Sequence, residues 1–317
     1  VPYLSLLCLL AACQGRAADQ VSTVQTANPH EENRPRPSAG HVRTEMKGVN
    51  LLVDPKVVLE VRELHGELLS NKEGEPPFFD DPKSFRVKID QGEIAMTPAS
   101  LSALLNGYVF NDASAPVEDV KIEIENGHVK QSATLKKKIR VHTTIEGDLS
   151  VTPEGDIRLH PTKIKADGLP VKGLLDLFDV ELSEMIKSQE SKGVRIVEND
   201  FILDPEKLGP SPRMLGRVVA VRLEKDHLVQ IFGGAKATPL KPSFPNAAHY
   251  IFFRSGELSF GKLTMHGADL QIIDKDPKDA LLMSPNHFDR QLVAGFSRTL
   301  PDKGLATFVP DYNEIGN

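Results

Sequence analysis

The sequence predicts an α+β fold: a long, curved antiparallel sheet wrapped around one long amphipathic helix. Three observations carry this. From Gly168 to Lys187, Val171, Leu174, Leu175, Phe178, Leu182, Met185 and Ile186 recur at i, i+3, i+4, i+7, i+11, i+14 and i+15, one apolar helical face, with Pro170 placed for a helix start. Leu177 and Val180 widen that face, as in a helix embraced by other structure. Just before it, Ile139, Val141, Thr143, Ile145, Leu149 and Val151 alternate with polar residues over a run that would extend about 40 Å as a half-buried strand. Ahead of that run, Val120, Ile122 and Ile124 alternate with Lys121, Glu123 and Glu125, and Asn126-Gly127 marks a two-residue hairpin turn. The same pattern also fits an ordinary sheet with a docked helix and a filled core.

The elements follow in order. The apolar start, YLSLLCLLAACQG, is too short to span a bilayer and has the character of a secretory h-region. Leu10-Ala11-Ala12-Cys13 closes it with a bacterial lipobox pattern, which makes Cys13 the expected acceptor of a diacylglycerol anchor; cleavage after Ala17-Ala18 is the alternative. A lipobox implies a bacterial envelope protein held at the membrane, on the periplasmic side. Residues 14 to about 47 are polar, Pro-containing and aperiodic, the composition of a flexible tether. Val57, Val58, Val61, Leu64 and Leu68 have helical spacing, and Asp54-Pro55 suits the start of that helix. Asn71 to Pro82 is a turn-rich loop, and Phe85, Val87 and Ile89 alternate as a strand. Thr97 and Pro98 are placed as N-cap and first residue of a helix with Leu101, Leu104 and Leu105 on its apolar face.

Val129 to Leu135 is the return strand of the hairpin. Ile157 and Leu159 begin another strand after the turn Pro153–Asp156, and the phase slips near Pro161, where a bulge or bend is expected. A second part starts near Val194. There VENDFILDPEKL resembles the earlier GEIAMTPASL, aligning Pro205 with Pro98 and Leu208 with Leu101, so that two related halves are an open alternative. Leu215–Leu223 and Leu228–Phe232 form a hairpin around Lys225-Asp226, His249 to Asp274 holds two or three strands, and Gln291 to Asp311 a short helix and strands. The expected division is a leader over 1–18, a tether over 19–48, an α+β core over 49–190 and a β-rich part over 191–317 packed on it.

The chemistry of the side chains narrows the function. The 317 residues are 40% hydrophobic with a formal charge of -6, enough for a sizeable core and without the clustered basic face of a nucleic-acid binder. There is no Trp, and the two cysteines, Cys8 and Cys13, both lie in the leader, so no disulfide framework is expected. No G-x-S-x-G, H-E-x-x-H or P-loop occurs, and Ser297 in AGFSRT lacks the second Gly of a nucleophile elbow. Asp274, Asp276 and Asp279 fail the EF-hand pattern, which needs Gly at position 6 and Glu at position 12. His30 with Glu31 and Glu32 lacks a second ligand pair, His249 and His266 are far apart in sequence, and Glu93, Asp148 and Asp156 show no pairing. Neither a catalytic constellation nor a metal or cofactor site is expected.

The meander VEDVKIEIENGHVK, the strand pair IRVHTTIEGDLSVTPEGDIRLHPTKIKADG and the segment LPVKGLLDLF together resemble the tubular lipid-binding (TULIP-like) superfamily, in particular LmeA-like phospholipid-binding proteins and YceB-like bacterial envelope lipoproteins. The stretches RSGELSFGKLTMHGADLQIIDKDPKD and FVPDY resemble parts of bacterial envelope proteins with the same layout. The resemblance covers about half the chain, from Val117 to Lys187 most clearly, and its motifs are structural. It implies a long helix cradled by a curved sheet and an apolar groove for the acyl chains of a phospholipid or another lipid. The groove residues are then Val120, Ile122, Val141, Ile145 and Leu149 from the sheet, and Leu174, Leu175, Phe178, Leu182 and Met185 from the helix. Two classes follow: a membrane-tethered module that binds or transfers lipid, or a non-catalytic structural envelope protein with a filled core.

Overall fold

The computed structural model describes residues 40–136, 140–167, 186–234 and 237–315. Cys13 and the segment from Gly168 to Met185, with Leu174, Leu175, Phe178, Leu182 and Met185, lie outside the described residues. What is described is mostly sheet, with two short α-helices, so an α+β fold built on a large sheet stands.

Three long strands open it: β1 (His41–Asp54), β2 (Val57–Ser70) and β3 (Phe85–Met96). They form the middle of an 11-stranded sheet whose remaining strands come from the far end of the chain. On one side β3 pairs with β12 (Leu228–Phe232), which pairs with β11 (Val218–Leu223). On the other, β1 pairs with β13 (Tyr250–Arg254), followed by β16 (Asp269–Asp274), β19 (Leu305–Val309) and β18 (Phe296–Thr299). The short strands β10 (Arg213–Leu215) and β17 (Leu281–Met283) add in parallel to β3 and β1. Pairing therefore runs across the expected boundary at residue 190. The second sheet holds β4 (Val117–Glu125), β5 (His128–Lys136), β6 (Arg140–Val151), β7 (Ile157–Ala166), β9 (Asp200–Leu203) and β8 (Val194–Val197), in that spatial order.

Several expectations hold. Asn126 and Gly127 both have positive φ (53° and 80°), the geometry of a two-residue hairpin turn. Thr97 caps helix α1 (Pro98–Leu104), its hydroxyl accepting from the Ser100 N–H at 3.1 Å. The phase slip near Pro161 is a bulge: Glu146 faces Lys163 and Gly147 faces Pro161, leaving Thr162 extra. The β11–β12 hairpin and the short helix α2 (Phe288–Ala294) with its flanking strands are also present.

Others need correction. The segment read as a helix after Asp54-Pro55 is β2. Val57 and Val61 point inward, a bulge inserts Arg62 between Val61 and Glu63, and Leu64 and Leu68 then point inward on the opposite parity. That shift gives the spacing i, i+4, i+7, i+11, which imitates a helix. The tether does not reach residue 48, because β1 begins at His41, with Val42, Thr44 and Met46 buried beneath interleaved polar residues. Between His249 and Asp274 there are four strands, with β14 (Glu257–Phe260) and β15 (Leu263–His266) forming a separate hairpin. Asp204-Pro205, aligned with Thr97-Pro98, leads into a turn and not a helix.

One face of the large sheet buries a core that includes Phe79, Phe85, Phe253 and Phe288, the last from α2. Phe79 meets Phe253 and Phe288 edge to face, at ring separations of 5.2 and 4.8 Å. Tyr250, Phe252 and Ile273 fill the opposite face with Leu240 and Phe244. The six-stranded sheet has its own apolar core, in which Val120, Ile122, Ile145 and Phe201 take part.

Candidate functional site

The site grows from the way α1 is fastened between the sheets. β4 is an edge strand, whose open backbone groups need partners. Ser102 Oγ accepts from the Ile122 N–H at 2.8 Å, and the Asn106 carboxamide accepts from Val120 N–H at 2.9 Å and donates to Val120 O at 2.7 Å. Two side chains thus stand in for a neighbouring strand. On the other side, Ser100 Oγ accepts from the Val58 N–H of β2 at 3.2 Å. One π-helical turn further on, over Leu105–Val109, the Tyr108 hydroxyl donates to Asp54 at 3.0 Å. Burial, then this bond to Asp54, raises the Tyr108 pKa and keeps the donor protonated.

Held in this way, α1 turns Leu101 and Leu104 toward two adjoining cavities. The first, about 90 Å³, lies inside the six-stranded sheet. Its walls are Val117 and Ile122 of β4, Val129, Gln131, Ala133 and Leu135 of β5, Thr143, Ile145 and Leu149 of β6, Leu159 of β7, and Val194, Phe201 and Leu203 of β8 and β9; Leu105, Phe110, Ile186, Leu208 and Leu228 complete it. No ionisable group is among these residues. The Thr143 hydroxyl is already committed to Ala133 O at 3.1 Å. The second cavity, about 110 Å³, reaches toward the large sheet and is lined by Val53, Leu59, Ile94, Met96, Met214, Phe232 and the turn from Pro205 to Arg213, among others. The two share Leu101, Leu104, Leu203, Leu208 and Leu228, so they are adjoining lobes around α1. With roughly 10–15 Å³ needed per water-sized group, each lobe has room for roughly six to ten. The walls of the first lobe suit apolar matter.

Of the sheet residues expected in the groove, Ile122, Ile145 and Leu149 line the first lobe. Val120 and Val141 are buried but are not on its wall. A bulge at β4, with Asp119 at φ 54°, separates Val117 and Val120 by three residues, and Val120 is the one bonded at its backbone to Asn106. The α1 leucines were visible as an apolar face in the sequence, and β5 as the return strand of the hairpin. Phe201, Leu203, Leu208 and Leu228 come from distant segments, and no local pattern assigns them here.

The other candidates resolve into structural roles. Ser297 is exposed on β18, paired with Thr307 at 3.0 Å. Asp148 pairs with His128, Asp156 with Arg195, and His266 with Glu257. Glu93 belongs to a four-membered ion cluster with Arg62, Arg222 and Glu224, in which hydrogen bonds from the two arginines hold the Glu224 pKa down to about 2. Asp274 and Asp276 accept from the backbone N–H groups two residues on, at 2.9 and 3.1 Å, which makes the acidic loop a pair of side-chain-closed turns. Among the described residues no three His, Cys, Asp or Glu side chains converge as metal ligands, and no helix is long and apolar enough to cross a membrane.

A scan against protein-family models finds no match to this chain, and searches of curated proteins and of solved structures find none either.

Proposed function

We propose that this chain is a lipid-binding protein of the bacterial envelope, held at the membrane through Cys13, that takes acyl chains into the space around α1. The single observation behind it is that space: two adjoining lobes walled mainly by aliphatic and aromatic side chains, the inner one with no ionisable group among its described wall residues. Transfer from water at about 0.8 kcal/mol per buried CH₂ would drive binding without a specific polar contact. The resemblance to tubular lipid-binding proteins points the same way. The apolar periodicity of 168–187, of which 168–185 lies outside the described residues, extends the proposal to a sheet wrapped around a helix.

Solvent extraction of the purified full chain followed by mass spectrometry tests the proposal. We expect co-purified acyl lipid near one equivalent per chain; a chain that carries none and takes up none from added palmitate would instead be a structural protein with a filled core. The anchor is tested separately: Cys13→Ser should leave the membrane fraction, and a Cys13→Ser protein that stays fully membrane-bound would contradict it.

A further inference from the structure

The two lobes differ in one respect that bears on the ligand. Among the described residues the inner lobe has no charged wall residue, whereas the outer lobe has Glu206 and Arg213, and Gln230 besides. Their commitments are unequal. Glu206 Oε1 accepts from the Gly216 N–H at 3.1 Å, which fastens the carboxylate to the chain beyond β10. Arg213 is exposed, donates through Nη1 to the backbone oxygen of Glu206 at 3.3 Å, and forms no ion pair among the described residues. It is the only cation on the described walls of either lobe. Neighbouring cations differ: Lys207 is held by Asp204 at 2.6 Å and Arg195 by Asp156 at 2.7 Å.

An apolar lobe beside one that carries an exposed guanidinium without an ion pair matches the polarity of an anionic amphiphile. We propose that the space binds a single-chain lipid with an anionic head, the chain running past Leu101 and Leu104 into the inner lobe and the carboxylate or phosphate meeting Arg213. This rests on the lipid-binding reading and adds to it an orientation and a head-group class. A guanidinium offers two parallel N–H donors to either anion, so both heads suit the same residue. The exposed position of Arg213 lets water screen the charge, so the gain is moderate.

Calorimetric titration of the delipidated full chain with palmitate, hexadecanol and 1-palmitoyl lysophosphatidate tests it, the first two sharing one chain length and differing in charge. The native chain should bind palmitate about tenfold more tightly than hexadecanol. Arg213→Gln should remove that preference by weakening palmitate, and Arg213→Lys should keep part of it. Lysophosphatidate tighter than palmitate, and weakened by Arg213→Gln, identifies a phosphate head; the reverse order identifies a carboxylate. Equal affinity of the native chain for palmitate and hexadecanol, or a preference that survives in Arg213→Gln, overturns the role of Arg213 while the lipid site stands. If none of the three binds, the lipid site itself is contradicted.

Discussion

Ala133 is the residue at which an open space and a filled core part most cleanly. It is buried on the central strand β5, on the wall of the inner lobe, and Thr143 bonds to its carbonyl. Ala133→Leu adds three carbons to a lobe of about 90 Å³. The lipid-free protein should hold its stability or gain about 0.5–2 kcal/mol, as cavity-filling changes do, and should lose most of its affinity for palmitate. A stability loss of about 1–3 kcal/mol, the usual result of overpacking, would mean that the space is not available. Ile145→Glu on the same wall places a carboxylate in an apolar lobe and should abolish acyl binding. Asp274 answers to pH. Burial, and next to it the charges of Asp311, Asp276 and Asp279, push its carboxyl up to about 7 against a backbone N–H from Asp276 that opposes the shift. Between its ordinary value near 3.8 and about 7, the folded chain keeps a proton that the unfolded chain releases. Its contribution to stability is thus fully present at low pH and falls as pH rises through that window. Asp274→Asn should remove this part of the slope, matching the parent near pH 4 and exceeding it at pH 8 by about 2–4 kcal/mol. Denaturation midpoints across that range measure it, and an unchanged slope would place the titration elsewhere.

At the scale of elements, what the sequence made legible depended on whether a strand keeps its phase. β4, β5 and β6 read correctly because Asn126-Gly127 fixes the turn and the alternation in β6 holds from Val141 to Ile145. β2 did not, because the extra residue Arg62 moves the buried set from Val57 and Val61 to Leu64 and Leu68. Arg62 is not idle there: it meets Glu93 at 2.7 Å and Glu224 across to the end of β11. A second bulge lies at His65/Gly66, where Lys88 O of β3 would come within 2.0 Å of a β-carbon on Gly66. The strand and helix assignments therefore predict opposite signs for Gly66→Ala. On β2 the added methyl meets backbone that is held in the sheet, and the change should destabilise by about 1–3 kcal/mol. In a helix the same change would stabilise by about 1 kcal/mol. Chemical denaturation of the two proteins decides it.

For the molecule as a whole, the organising fact is that β1 to β3 are completed by strands more than a hundred residues later. Lys47 of β1 faces Tyr250, and Ile94 of β3 faces Gln230. Glu45, buried on β1, accepts from the Tyr250 hydroxyl at 2.5 Å and from the Leu240 N–H at 3.1 Å, closing the far side of the sheet. Such partners share no local signal, which is why a boundary at residue 190 looked reasonable and why Leu208 and Leu228 were not assigned to the site. The inserted stretch between β3 and β10 builds the second sheet, and α1 with the π-helical turn after it, bonded to β2 through Ser100 and to β4 through Ser102 and Asn106, lines the space. In the proposed function this space receives an acyl chain, which photolabelling of the full chain with a diazirine-bearing palmitate, followed by peptide mapping, can test. Adducts are expected to concentrate on α1, on β4 to β6 and on Leu203 to Leu228, competed by unlabelled palmitate and lost in Ala133→Leu. Adducts confined to other surfaces, or labelling unchanged by either the competitor or the substitution, would contradict it.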